Sequence, residues 1–389
     1  MSTLFTGISE LRTVSEHGTL NDAALIADHG TIAWIGPASQ APAADDQVDL
    51  GGRAVLPGWV DSHTHMVFDG DRSAEFEARM SGGSYEAGGI AVTMDATREA
   101  GADRLDKLVA ERVAAGRRGG TTTFETKTGY GLNTESEVEA ARVASQHVDD
   151  VTFLGAHLVP PGADAEDYLD EVVGPMLDGV AEYVQWIDVF CERGAFNEEQ
   201  SRRVLEAGKK LGLGLRVHGN QLGEGPGVSL AVDLGAASVD HVNYLSDGDI
   251  EKLAASETVA TMLPACDLST REPLAPGRAL LDAGATLAIA SNLNPGTSYT
   301  SSMNYCVTTA VLQQHLSVDE AIHAATTGGA TALRRHNVGN GLDPQGRPAK
   351  GTLVEGAAAD LHVLDAPSAV HLAYRPGMPL SYRTFVAGV

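Results

Sequence analysis

Cysteine, positive charge and long apolar runs are all scarce in this chain, and each scarcity removes a class of protein. The three cysteines, Cys191, Cys266 and Cys306, are far apart and include no CxxC pair. An odd, scattered set does not make a disulfide framework and suits buried thiols in a reducing compartment. Lys and Arg total 27 against 52 Asp and Glu, a formal charge of -25. Such a surface repels nucleic acid and anionic membrane, although one local arginine still suffices for an anionic small molecule. No run of about 18 apolar residues suggests a membrane span. The opening MSTLFTGISELRTV has no basic region followed by an apolar core, so no signal peptide is expected. A cytoplasmic enzyme with no nucleic-acid or membrane partner is the expectation.

What is present is length and regular alternation. A chain of 389 residues can bury a large core and hold one big α/β domain plus a smaller one. The first fifty or so residues alternate short apolar runs with turns, AALIAD then HG then TIAWIG, and His29-Gly30 reads as a hairpin turn. The far end has the same character in GTLVEG, ADLHVLD and YRTFVAG. Neither end is long enough for a comfortable core alone. Residues 1–56 and 345–389 are therefore expected to pair as one small β-sandwich-like domain.

Between them, in residues 57–344, eight strand candidates recur: 58–65, 121–128, 151–159, 183–191, 213–221, 237–245, 258–266 and 285–292. Helical patterns such as 136–147 and 197–212 separate most of them. The count and length match a (β/α)8 TIM barrel; a doubly wound open sheet explains less well why polar residues cluster at so many strand ends. The 66–120 stretch exceeds a simple crossover and is expected to carry helices and substrate-facing loops.

His63 and His65 sit two apart in LPGWVDSHTHMVF, which places both on one side of the first barrel strand. His218 closes the fifth strand and His241 the sixth. HxH alone is common by chance, and each histidine alone could be satisfied by backbone hydrogen bonds. Four converging at the mouth, where barrel enzymes build their sites, favour a metal site of three neutral nitrogen donors with an open position, suited to Zn²⁺ or Fe²⁺.

At this point the motifs carry a resemblance. LPGWVDSHTH, VFDGDR, EFEARMSGGSY, ETKTGYGL, GAHLVP, LRVHGNQLGEGPG and NPGTSYTSS together resemble the imidazolonepropionases of the amidohydrolase superfamily, across essentially the whole chain. HxH is weakly diagnostic; TKTGYGL with GAHLVP is far more specific. The resemblance implies one divalent or trivalent metal ion, zinc or iron, held by His63, His65 and His218. It implies substrate contacts from Arg72, Tyr130, His157, Gln221, Asn294, Gly296 and Thr297, with His241 beside the attacking water. It also implies a homodimer in the cytoplasm. The implied reaction is hydrolysis of 4-imidazolone-5-propanoate to N-formimidoyl-L-glutamate in histidine degradation.

The residue types suit those roles. Arg72 can grip a carboxylate with two parallel hydrogen bonds, which lysine cannot copy. Lys127 could do the same work or instead anchor Glu125. Tyr130 offers a hydroxyl from a loop, and His157 one ring nitrogen while the other is held. As isolated residues, Arg72 would read as a solvated surface arginine, Tyr130 as packing and His157 as a core histidine.

The departure is Asn292, where the family's last metal ligand is normally aspartate. An amide oxygen can still face a metal but cannot serve as a carboxylate base. A general base typically contributes about 10²–10⁴-fold, and a deficit of that order is expected, part of it recovered by His241. Three explanations compete: a deliberately weakened variant, a paralogue drifted to another substrate, and a working enzyme in which His241 alone manages the proton. LPACDLSTREP, at the seventh strand, departs from the expected small-residue pattern and favours drift. Outside this reading stand a deaminase or another cyclic-amide hydrolase, with Glu224 as a candidate acid against Gln221, and a non-catalytic binding protein on the same scaffold.

Overall fold

The structure, a computed structural model, describes residues 1–82 and 90–389. The GSY that ends EFEARMSGGSY, residues 83–85, lies outside the described residues.

The chain opens with β1 (Thr3–Arg12), β2 (Thr19–Asp28), β3 (Thr31–Pro37) and β4 (Asp46–Pro57). His29 and Gly30, at φ 47° and 85°, make the tight hairpin between β2 and β3, where two positive φ values match the strands' right-handed twist. β13 (Leu361–Leu364) and β14 (Ser381–Phe385) return from the far end and complete one sheet in the order β14-β13-β4-β1-β2-β3. Phe5, Leu11, Leu25, Val55, Val363 and Phe385 form its core, with the Phe5 and Phe385 rings edge to face at 4.8 Å.

The barrel follows from β5 (Trp59–Asp61), β6 (Thr121–Lys127), β7 (Asp150–Ala156), β8 (Trp186–Cys191), β9 (Gly214–Gly219), β10 (Ser238–His241), β11 (Val259–Met262) and β12 (Leu287–Ile289). All eight predicted strands are present and pair in chain order, each neighbour parallel. Beyond the last strand, Asn292 N donates to His63 O and His65 N to Leu293 O, both at 3.0 Å. Those two bonds draw the end of β12 onto the segment after β5, so the first and last strands meet at the mouth.

The strands are shorter than their apolar runs suggest. β11 stops at Met262 because Pro264 begins a helix, Pro264–Thr270, which carries Cys266 off the strand; proline suits a first helical turn, where no N–H is needed. Likewise His63 and His65 lie just past β5 rather than on it. The helix Glu198–Lys210 starts on a reciprocal Asn197–Gln200 capping box, which satisfies two otherwise orphaned amides. The stretch after β5 holds helices Ser73–Met80 and Ile90–Arg118, the latter broken by Gly101 at φ 67°.

Candidate metal centre and active site

β6 shows how charge enters this core. Its period of two puts Glu125 and Lys127 on one face and Phe124 on the other, where Phe124 packs so close to Gly116 that a Cβ there would collide. Lys127 Nζ lies 3.0 Å from Glu125 Oε1 and 2.9 Å from Asp188 Oδ2, all fully buried. Lys127 is therefore an anchor rather than a substrate ligand. Arg216, equally buried, donates to Asp240 Oδ2 at 3.1 Å and to Ser62 O at 2.8 Å. Three buried carboxylates are thus paired with two buried cations beneath the barrel mouth, as ions removed from water must be, with one net negative charge left facing the histidines.

On this base stand the histidines. Asp240 Oδ2 lies 2.7 Å from His63 Nδ1, and Asp188 Oδ2 3.0 Å from His218 Nδ1. A carboxylate on Nδ1 fixes that nitrogen as the N–H and leaves Nε2 with its lone pair outward. His65 Nε2 is 3.3 Å from His63 Nε2 and 3.4 Å from His218 Nε2. Nitrogens around a tetrahedral ion, each at about 2.1 Å, are about 3.4 Å apart, so both of these spacings match a zinc-like cation, and the ligand atoms of all three histidines lie within 4.8 Å of one another. Burial, assisted by Lys127 and the neighbouring rings, holds His63 down to about 3 and His65 well below the ordinary imidazole range. Burial opposes ionisation of Asp188 and Asp240, but His218 and Lys127 on one, and Arg216 and His63 on the other, hold both carboxyls low. A neutral His63 ring on an ionised Asp240 carboxylate is the state that binds metal.

Asn292 lies beside this trio in a left-handed conformation, φ 62°. Its Nδ2 donates to Thr297 Oγ1 at 3.1 Å. Its buried Oδ1 has no hydrogen-bond partner among the described residues. His241 ends β10 at φ 89°, an uncommon conformation for a side chain of its size. Its ring centroid is 5.4 Å from that of His218 and 5.7 Å from that of His63. Burial keeps it well below the usual range, hence neutral.

Above lies a cleft of about 760 Å³, including the part open to solvent, lined by His65, Arg72, Tyr130, His157, His218, Gln221, His241, Asn292, Asn294 and Thr297 among others. The structure therefore brings all but two of the predicted site residues to one wall. His63 lies beneath, and Gly296 lines the adjoining cleft, where a Cβ would collide with the Arg72 guanidinium. Arg72 grips Glu75 through Nε at 2.9 Å and Nη2 at 2.8 Å. His157 Nδ1 is held by Gly129 O at 2.9 Å, leaving Nε2 for the cleft; burial lowers its pKa to about 4. Glu224 lines a different cleft with Glu192 and Glu198, so this candidate acid is not among the described residues that line the site's cleft.

Sequence reasoning missed Asp188, Asp240 and Arg216, and gave Lys127 no settled place. A signal was there: WIDVFC, GLRVHG and SVDH each place a charge inside an otherwise apolar strand. Cleft residues Phe190 and Arg193 were missed as well.

No family model matches the chain. The imidazolonepropionase of Arthrobacter sp. strain FB24 is 64% identical over 400 residues, covering 100% of this chain and 99% of the relative. That of Saccharopolyspora erythraea is 62% identical over 389 residues, covering 100% and 98%. Among solved structures, a zinc-bound adenosine deaminase from Xanthomonas campestris superposes with TM-score 0.72 at 19% identity, over 99% of this chain and 92% of that one. A zinc complex of atrazine chlorohydrolase from Arthrobacter aurescens TC1 gives 0.71 at 19% identity, over 99% and 94%. These structures share the fold.

Proposed function

The chain belongs to the imidazolonepropionase family of amidohydrolases, and on that premise we propose that its substrate is 4-imidazolone-5-propanoate, hydrolysed at a ring C–N bond to N-formimidoyl-L-glutamate. The observation that carries the reading is a trio of histidine nitrogens, His65 Nε2 at 3.3 Å from His63 Nε2 and 3.4 Å from His218 Nε2, at the floor of a cleft that also presents Arg72. A divalent ion on His63, His65 and His218, zinc as in the related structures or iron, would supply Lewis-acid activation of water and of the ring carbonyl.

The chain's own residues do the rest. Arg72 takes the propionate, exchanging its Glu75 partner for the substrate carboxylate. Tyr130 donates its hydroxyl to a polar atom of the ring, the free Nε2 of His157 accepts from a ring N–H because Nδ1 carries the proton, and Gln221, Asn294 and Thr297 fix its orientation. Gly296 leaves room for the Arg72 guanidinium. His241, neutral and poised beside the trio, accepts the proton of the attacking water and returns it to the departing ring nitrogen. Asn292 keeps a buried amide oxygen without a partner among the described residues beside the trio and cannot share that proton, so the reaction runs below the rate an aspartate would allow. The protein would act as a cytoplasmic homodimer, which light scattering can check.

The decisive experiment follows loss of imidazolone absorbance with metal-loaded protein and with an Asn292→Asp variant. The expected result is turnover by both, faster in the variant by about 10²–10⁴-fold. Equal, fast rates would make His241 a sufficient base. Silence from both with metal bound would discard the substrate and favour a drifted paralogue.

A further inference from the structure

LPACDLSTREP does not join the trihistidine site, yet it brings two metal-binding side chains to its edge. The helix Pro264–Thr270 aims Cys266 and Asp267 back toward His241. One ligand atom from each of His241, Cys266 and Asp267 lies within 4.8 Å of the others, and all three residues are buried. The Cys266 thiol also meets Asn292 and Thr297, and Gln221 Nε2 approaches its sulfur at 3.9 Å. The thiol is thus buried behind the cleft, packed against its lining residues Gln221, Asn292 and Thr297. His241 Nδ1 and Asn292 Oδ1, both buried, have no hydrogen-bond partner among the described residues.

We propose that His241, Cys266 and Asp267 form a second divalent-cation site beside the trihistidine centre, suited to zinc and cadmium, whose occupation inhibits the enzyme. The donor set is one imidazole, one thiolate and one carboxylate. Sulfur favours soft ions, whereas the first site offers nitrogen alone. Asn292 adds no charge, so the anionic donors of this pocket sit at 266 and 267. Ligand atoms around a four-coordinate zinc are about 3.3–3.8 Å apart, so the three need close by only about 1 Å. Binding forms one N–metal, one S–metal and one O–metal bond and releases the thiol proton, with that of Asp267 where present, to buffer. The inhibitory half rests on the proposed proton role of His241, because a ring nitrogen held by a cation cannot take a proton from water.

The test starts from protein carrying one equivalent of zinc. Cadmium is titrated in while ultraviolet thiolate-to-metal charge-transfer absorption is recorded and stoichiometry is counted by native mass spectrometry. A second equivalent with a thiolate band is expected in the native chain and in Cys191→Ala. Cys266→Ala and Cys266→Ser should lose both band and second equivalent while keeping the first, which also shows that they fold. A single equivalent in the native chain, or a band that survives in both Cys266 variants, overturns the site. In the activity arm, zinc at about ten times the second site's dissociation constant should slow imidazolone loss about tenfold in the native chain. Neither Cys266 variant should be slowed relative to its own rate. Binding without inhibition overturns the regulatory half. Absence of any turnover removes the substrate reading and leaves the absorption result to decide the site.

Discussion

At position 292 the backbone takes φ 62°, a conformation that asparagine and aspartate tolerate better than most residues. Exchange between them therefore leaves the turn alone and changes only charge and proton capacity. Thr297 Oγ1, which accepts from the Asn292 amide, would turn its own O–H toward a carboxylate. Asn292→Asp should accordingly hold zinc more tightly as well as turn over faster, so at a fixed chelator concentration less metal is lost; unchanged retention would mean that residue 292 does not face the ion. Arg72 makes a separate case. Its grip on Glu75 is two-pronged and its packing against Gly296 is tight, so Arg72→Lys loses fork geometry with its charge intact. The expected outcome is a KM raised about 10–100-fold with kcat changed far less, the size of one charged hydrogen-bond pair. A fall in kcat at constant KM would place Arg72 at the reacting centre instead.

At the scale of elements, the ligands are aimed by the strands below them. β10 carries Asp240 to His63 and β8 carries Asp188 to His218, while β6 and β9 supply Lys127 and Arg216 as counter-ions. Asp240→Asn keeps the shape but gives the His63 ring a weaker acceptor. Losing such an outer partner typically costs about 10–100-fold in metal affinity, measurable by competition with a chromophoric chelator. Unaltered affinity would show that β10 positions the ring by packing alone. These carboxylates were visible in sequence as charges inside apolar strands. Their partners were not, because strands 24 to 177 residues apart become neighbours only when the barrel closes.

Across the whole molecule, the terminal sheet and the barrel are joined by a buried contact at His362. Its ring sits edge-on to Trp59 at 5.2 Å and shares a 2.8 Å hydrogen bond with Ser381. Burial alone drives its pKa to about 3. The unfolded chain thus binds a proton near 6.5 that the folded chain refuses until about 3, so this group's stability contribution, complete above 6.5, is lost as pH falls through that window. Between pH 7 and pH 5 the loss from this group is about 2 kcal/mol. Urea midpoints at the two pH values should diverge less in His362→Gln than in the native chain; equal divergence would assign the acid sensitivity elsewhere. Among the described residues no helix is long and apolar enough to cross a membrane, in keeping with the absence of long apolar runs.

The sequence by itself determined the eight-strand barrel, the sheet shared by both ends, the histidines at the mouth and the amide at 292. Each of these is written locally, in periodicity, turn chemistry or motif spacing. Only the tertiary structure decided that Lys127 is an anchor, that Glu224 faces another cleft, that Arg72 already holds Glu75, and that Cys266 leaves its strand to stand beside His241. Those four outcomes depend on which distant segments become neighbours when the barrel closes and on where each strand ends, and local pattern carries neither.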